Sequence, residues 1–106
     1  MRILIDECLN WRLARALSAH YAVSAQKMGW GGLKNGVLLA EAEKQFDVFL
    51  TGDRNLSFQQ NVTQCHIAVV VLHAPSTQLH HTLPLIPKVL ALLPTLRPGQ
   101  VADVHA

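Results

Sequence analysis

Residues 46–53 read FDVFLTGD: Val48, Phe49, Leu50 and Thr51 form a strand-like run, and Asp53 follows two residues later. The first ten residues, MRILIDECLN, repeat the pattern, with Ile3, Leu4 and Ile5 running straight into Asp6 and Glu7. Short unbroken apolar runs are what strands buried on both faces of a parallel sheet require. Carboxylates placed directly after such strands fall on the sheet edge where open α/β folds bind ligands. The two stretches therefore set the fold class and the candidate site together.

Between them, Asn10 is placed to cap a helix over residues 10–19, with Leu13, Ala16 and Leu17 as its inner stripe. Residues 21–25 alternate and read as a second strand, followed by a loop loosened by Gly29, Gly31 and Gly32. Asn35 is expected to cap a helix running to about residue 45. Leu38, Leu39, Ala42 and Phe46 line its core side, while Glu41, Lys44 and Gln45 lie elsewhere. Residues 47–51 are the third strand, and residues 67–72, IAVVVL, are the strongest buried-strand signal in the chain. Between those strands, Ser57 with Gln60 matches a capping box, and Gln59, Gln60 and Asn61 are alternative nucleic-acid contacts. Pro84 and Pro87 fit the first turn of a helix over residues 83–93, where N–H groups have no internal acceptor. Pro94, Pro98 and Gly99 end that helix, and QVADVH supplies a final strand.

This alternation predicts a three-layer α/β/α fold with a mainly parallel central sheet of about five strands and right-handed crossovers. No linker, repeat or low-complexity segment interrupts it, so a single domain over residues 1–106 is expected. Half of the residues are apolar and 15% are charged, which excludes a chain disordered throughout. No apolar stretch is long enough to cross a bilayer and no leader pattern opens the chain, so a soluble, cytoplasmic protein is expected. Cys8 and Cys65 lack metal-like spacing and read as free, mostly buried thiols. A net charge of +2 neither requires nor opposes a nucleic-acid partner.

Asp6, Glu7 and Asp53 fall at strand ends, with Asn35 at a helix start on the same edge. Clustered carboxylates near a core repel one another, and a divalent cation removes that cost. Hard oxygen ligands of this kind suit Mg²⁺ or Mn²⁺. Singly, Asp53 reads as a turn former and Glu7 as a solvated acid; three acids on one edge favour a metal site. Asn55 is placed to orient a metal-bound water, while Glu41 either approaches the site or stays solvated. Arg12, Arg15, Lys34 and Arg54 are candidates to hold an RNA backbone, or are solvated surface charges. Trp11 and Trp30 are candidates for stacking on unpaired bases, although partial core packing is the stronger reading. His73, His80 and His81 lack a zinc pattern and read as surface histidines. Gly-rich phosphate loops, nucleophile elbows and Cys–His pairings are missing.

The stretches ILIDECL (residues 3–9) and LKNGVLLAEAEKQFDVFLTGD (residues 33–53), with the strand–helix ending, resemble the PIN-like domain family. The resemblance covers most of the chain. In particular it points to small stand-alone predicted nucleases, VapC-related and associated with toxin–antitoxin pairs. It implies a metal-dependent ribonuclease, with Asp6 and Asp53 as metal carboxylates and Thr51 in a Thr-x-Asp element. Glu7 matches an acid common in the stand-alone group. Asn35 departs from the pattern, because many relatives have Asp there. A non-cleaving PIN-like module that binds RNA or protein is the competing reading. Acids after strands one and three also resemble a phospho-accepting receiver, but the hydroxyl after strand four and the final Lys are missing.

In the last helix, Ile86, Val89, Leu90 and Leu93 recur at helical spacing and suffice to cover the sheet. Leu85, Leu92 and Leu96 form a second apolar row, expected to dock a second copy of the chain or an antitoxin-like partner. Folding back of residues 98–106 over that row is the alternative.

Overall fold

Ile3 and Ile5 point to one side of the sheet and Leu4 to the other. Val48 and Leu50 oppose Phe49 in the same way, and Val70 and Leu72 oppose Val69 and Val71. All ten are at most 2% exposed, so both faces of the central strands are covered and the apolar runs need no polar alternation. The structure is a computed structural model that describes residues 1–56 and 62–106. The capping box of Ser57 and Gln60, and the amides Gln59, Gln60 and Asn61, lie outside the described residues.

The elements are β1 (Arg2–Ile5), α1 (Leu13–Ala16), β2 (Tyr21–Ser24), α2 (Asn35–Ala42), β3 (Val48–Thr51) and β4 (Ala68–His73). They are followed by α3 (Leu79–Thr82), α4 (Ile86–Leu92) and β5 (Val101–His105), with 3₁₀ turns at Val62–Gln64, Leu83–Leu85 and Leu93–Thr95. All neighbouring strands are parallel, in the order β2-β1-β3-β4-β5. The chain steps outward from β1 to β2, then returns across β1 to β3. The order therefore reverses between β1 and β3, as in doubly wound flavodoxin-like sheets. Ile5 is level with Leu50, which brings the next residues, Asp6 and Thr51, side by side.

One face is covered by Leu13 of α1, by Leu17 just after it, and by Leu85, Ile86, Val89 and Leu93 from the C-terminal helical segment. The other is covered by Leu38, Leu39 and Ala42 of α2, with Leu56 and Val62. This is the expected three-layer α/β/α architecture. One detail departs from expectation. The β4–β5 connection steps away from β2 yet crosses on the α1 face, so its hand is opposite to that of β1–β2 and β2–β3. The face it covers presents Val48, Leu50, Val70 and Leu72. Leaving those side chains in water would cost about 1.5–3 kcal/mol each, which outweighs a preference of connection geometry.

Helix limits also differ from the sequence reading. Asn10 does not cap a helix over residues 10–19; its Oδ1 accepts the Arg12 N–H at 2.9 Å in a local turn, and α1 is a single turn beginning at Leu13. Lys34, in extended conformation, is the N-cap of α2, and Asn35 is the first residue inside it. The C-terminal helical run begins at Leu79, not residue 83, and Pro84 falls in a 3₁₀ turn within it. A proline removes one donor and clashes with the carbonyl four residues back, which breaks the α-helix there. Trp11 is 52% exposed instead of partly packed, whereas Trp30 is half-buried and meets Phe46 edge to face at 6.0 Å.

Leu85 is 3% exposed and belongs to the protein's own core, so it is not part of an open second row. Leu92 and Leu96 are half-buried against the same core. Leu85→Ala is accordingly expected to lower unfolding stability by about 2–5 kcal/mol. Chemical denaturation followed by light scattering checks this: a change in oligomeric state at unchanged stability would instead mark Leu85 as an interface residue.

Candidate functional site

The β1–β3 ladder carries one bond beyond the strands, the Asp6 N–H to the Leu50 carbonyl at 2.9 Å, which holds Asp6 at the exit of β1. Beside it, Thr51 ends β3 fully buried. Its hydroxyl donates to Asp6 Oδ2 at 2.6 Å and accepts the Asp53 N–H at 3.0 Å. Asp6 is itself only 7% exposed. Asp53 then forms its own turn, Oδ1 accepting the Asn55 N–H at 3.0 Å, while Oδ2 accepts the Asn35 Nδ2–H at 3.3 Å. Asp6, Thr51, Asp53 and Asn35 are thus joined in one network at the switch point.

Cys8 belongs to this network and was missed as a site residue. A thiol two residues beyond Asp6 was the available signal, but it also fits a free cysteine of the core. The residue is exposed, not mostly buried, yet its Sγ turns inward and donates to Asp6 Oδ2 at 3.4 Å, with Thr51 Oγ1 3.8 Å away. Burial of the sulfur, then the charge of Asp6, push the Cys8 thiol up to about 11. Cys65 is half-buried, and burial followed by the charge of Glu43 raises its thiol as well.

Other expected members stand apart. Both carboxylate oxygens of Glu7 accept the Gly32 N–H, at 3.0 and 3.1 Å, so Glu7 faces the loop after β2. Gly31 passes so close that a Cβ there would lie 3.4 Å from Glu7 Oε2. Glu41 stays at the surface, 3.6 Å from Lys44. Arg54 turns toward β4 and donates to the Ala74 carbonyl. Lys34 is exposed at the start of α2, and Arg15 is exposed at the end of α1. Arg12 lies over the Trp11 ring at 4.6 Å. Asn55 contributes its backbone N–H to Asp53, and its side chain is exposed. Of the histidines, His73 is paired with Asp103 at 2.6 Å and His81 with Ser76 Oγ at 2.6 Å.

Among the described residues, no group of three or more His, Cys, Asp or Glu is arranged to hold a metal ion. What the switch point does offer is two carboxylates, a hydroxyl and an amide. Asp6 Oδ1 accepts no hydrogen bond among the described residues, which leaves it open to a ligand. That donor set fits a hard cation held by one or two carboxylates with water completing its shell, the usual Mg²⁺ arrangement. Among the described residues no helix is long and apolar enough to cross a membrane. Comparisons with protein-family models, curated proteins and solved structures return no match.

Two outcomes follow from the network. Thr51→Val leaves a buried carboxylate and a backbone N–H each short of a partner, at a cost of about 1–3 kcal/mol, and Thr51→Ser restores most of it. Thermal unfolding of the pair checks this; equal losses would assign the effect to packing. For Cys8, a raised pKa means that the thiolate is scarce until the pH approaches about 11. Asp6→Asn removes the second cause of that rise, so alkylation of Cys8 by iodoacetamide near pH 8.5 should speed up. Peptide mass spectrometry reads the rate, and an unchanged rate would leave burial as the sole cause.

Proposed function

We propose that this chain is a Mg²⁺- or Mn²⁺-dependent ribonuclease that hydrolyses RNA phosphodiesters. The observation that carries the reading is the Thr51 hydroxyl tying Asp6 and Asp53 together where the strand order reverses. The PIN-like resemblance of the two acidic stretches supports the same chemistry. On this reading the chain is the toxin of a toxin–antitoxin pair, acts in the cytoplasm, and is restrained by an antitoxin protein. Among the described residues Cys8 and Cys65 form no disulfide, which suits a reducing compartment.

Asp6 and Asp53 would hold the cation, with the Asn35 amide beside Asp53. When bound, the ion supplies charge neutralisation on the scissile phosphate and an acidified water. Thr51 fixes the rotamer of Asp6 by occupying Oδ2 and leaves Oδ1 without a hydrogen bond among the described residues. The Asn55 N–H does the equivalent for Asp53 through Oδ1. Arg54 and Lys34 flank the acids in sequence and attract the phosphate backbone, with Arg12 at the start of α1 and Arg15 within it extending the field.

The non-cleaving reading draws on a specific observation. Asn35 places an amide donor on Asp53, and Glu7 is engaged by Gly32, so the site carries less charge than a cluster of three or four acids. Asn35→Asp tests which reading holds. If the protein is a nuclease limited by its charge, the variant binds Mn²⁺ more tightly in calorimetry and cleaves RNA faster. Asp6→Asn should abolish both metal binding and cleavage. Wild-type protein that neither binds Mn²⁺ nor cuts any RNA, with Asn35→Asp no better, would leave the binding module.

A further inference from the structure

A groove of about 560 Å³ runs along the outer edge of β2, between that strand and α1. Two aromatic rings flank it, Trp11 at 52% and Tyr21 at 51% exposure. Each carries a guanidinium 4.6 Å from its centroid, Arg12 over Trp11 and Arg2 over Tyr21. Lys27 adds a third cation, and no carboxylate lines the groove among the described residues. At one end, the Gln26 side-chain amide donates to the carbonyl of Glu7, the residue after Asp6, at 3.5 Å.

We propose that this groove is a stacking platform for unpaired nucleotides of an RNA strand. Trp11 and Tyr21 receive bases and Lys27 on the groove wall meets the phosphates, while Arg12 and Arg2, outside the lining, add to the attracting field. Two half-exposed rings, each under a guanidinium and with Lys27 on the groove wall, match planar bases on a polyanion better than they match a protein, although Tyr21 also stacks on Phe46 at 6.4 Å. Every base offers a π-face, whereas a duplex hides those faces within its own stack. Addition of a peptide strand fits poorly, since β2 has four residues and a cationic rim, features that blunt edge pairing. Nucleic acid as the ligand rests on the ribonuclease reading, but occupancy of the groove requires no cleavage.

The test uses the full chain carrying Asp6→Asn, in EDTA, so that nothing is cut. Trp30→Phe leaves Trp11 as the sole indole, and circular dichroism confirms folding. Titration with an oligouridylate of about twelve nucleotides should quench Trp11 emission, and a duplex of equal length should not. With a labelled oligouridylate, Trp11→Ala and Tyr21→Ala should each weaken binding by about 5- to 150-fold, while Lys44→Ala, outside the groove, leaves it unchanged. Absence of quenching, equal binding of the duplex, or unchanged affinity in both aromatic variants overturns the platform. So does a dimer in light scattering that Trp11→Ala converts to monomer without any effect on RNA. Because cation and cleavage are removed, a chain that proves not to be a nuclease leaves this result standing. A nuclease whose KM survives both aromatic variants sinks the platform alone.

Discussion

The hydroxyl of Thr51 makes two short hydrogen bonds besides its longer contact with Cys8, and the geometry of the switch-point edge depends on both. Toward β1 it donates to a carboxylate that is 7% exposed; toward its own strand it receives the N–H of Asp53. In surroundings this dry, a hydrogen bond is electrostatically stronger than in water and an unmet polar group is correspondingly costly. The two contacts therefore hold Asp6 and Asp53 in a fixed relation even though they sit on separate exits of the sheet. The register that sets Ile5 beside Leu50 is what brings the hydroxyl within reach. A slip of one residue would turn Thr51 to the other face and dissolve the arrangement.

That edge also shows how a charged site is kept among apolar strands. Asp6 receives donors from Thr51 and Cys8, and Asp53 from Asn35 and Asn55, so each carboxylate is met by neutral groups. Among the described residues, Lys44 pairs with Glu41 and His73 hydrogen-bonds Asp103, both away from the switch point. A bound cation would complete the shell without displacing these bonds, because Asp6 Oδ1 remains open. Glu7 illustrates the opposite fate: its carboxyl is held by a backbone donor, the Gly32 N–H.

The strands were legible in the sequence because two-sided burial leaves a blunt signature, unbroken apolar runs such as residues 67–72. Asp6 and Asp53 were legible for the same reason, since each follows from where a run stops, whereas Thr51 entered the site only through the PIN-like resemblance. Helix limits were not, because they turn on local competition. Asn10 satisfied a turn instead of a cap, and Asn35 lay one residue inside α2 with its amide drawn to Asp53, 18 positions away. The inward turn of Cys8 and the capture of Glu7 by Gly32 likewise depend on loops folding back, which no short-range pattern encodes. The burial of Leu85 escaped a helical-wheel argument because Pro84 breaks the wheel into 3₁₀ and α segments.

The proline-broken arc from Leu79 to Thr95 has a consequence for how the fold assembles. Its pieces are four, three, seven and three residues long, far below what holds a helix together alone in water. Pro84, Pro87 and Pro94 each pin φ near the helical value even in the denatured chain, so fewer conformations are lost when the arc docks. Cohesion comes instead from outside, through Leu85, Ile86, Val89 and Leu93 pressed on the sheet. The layer is therefore a pre-bent shell that gains its persistence only on contact, and its order should rise and fall with that of the strands beneath it.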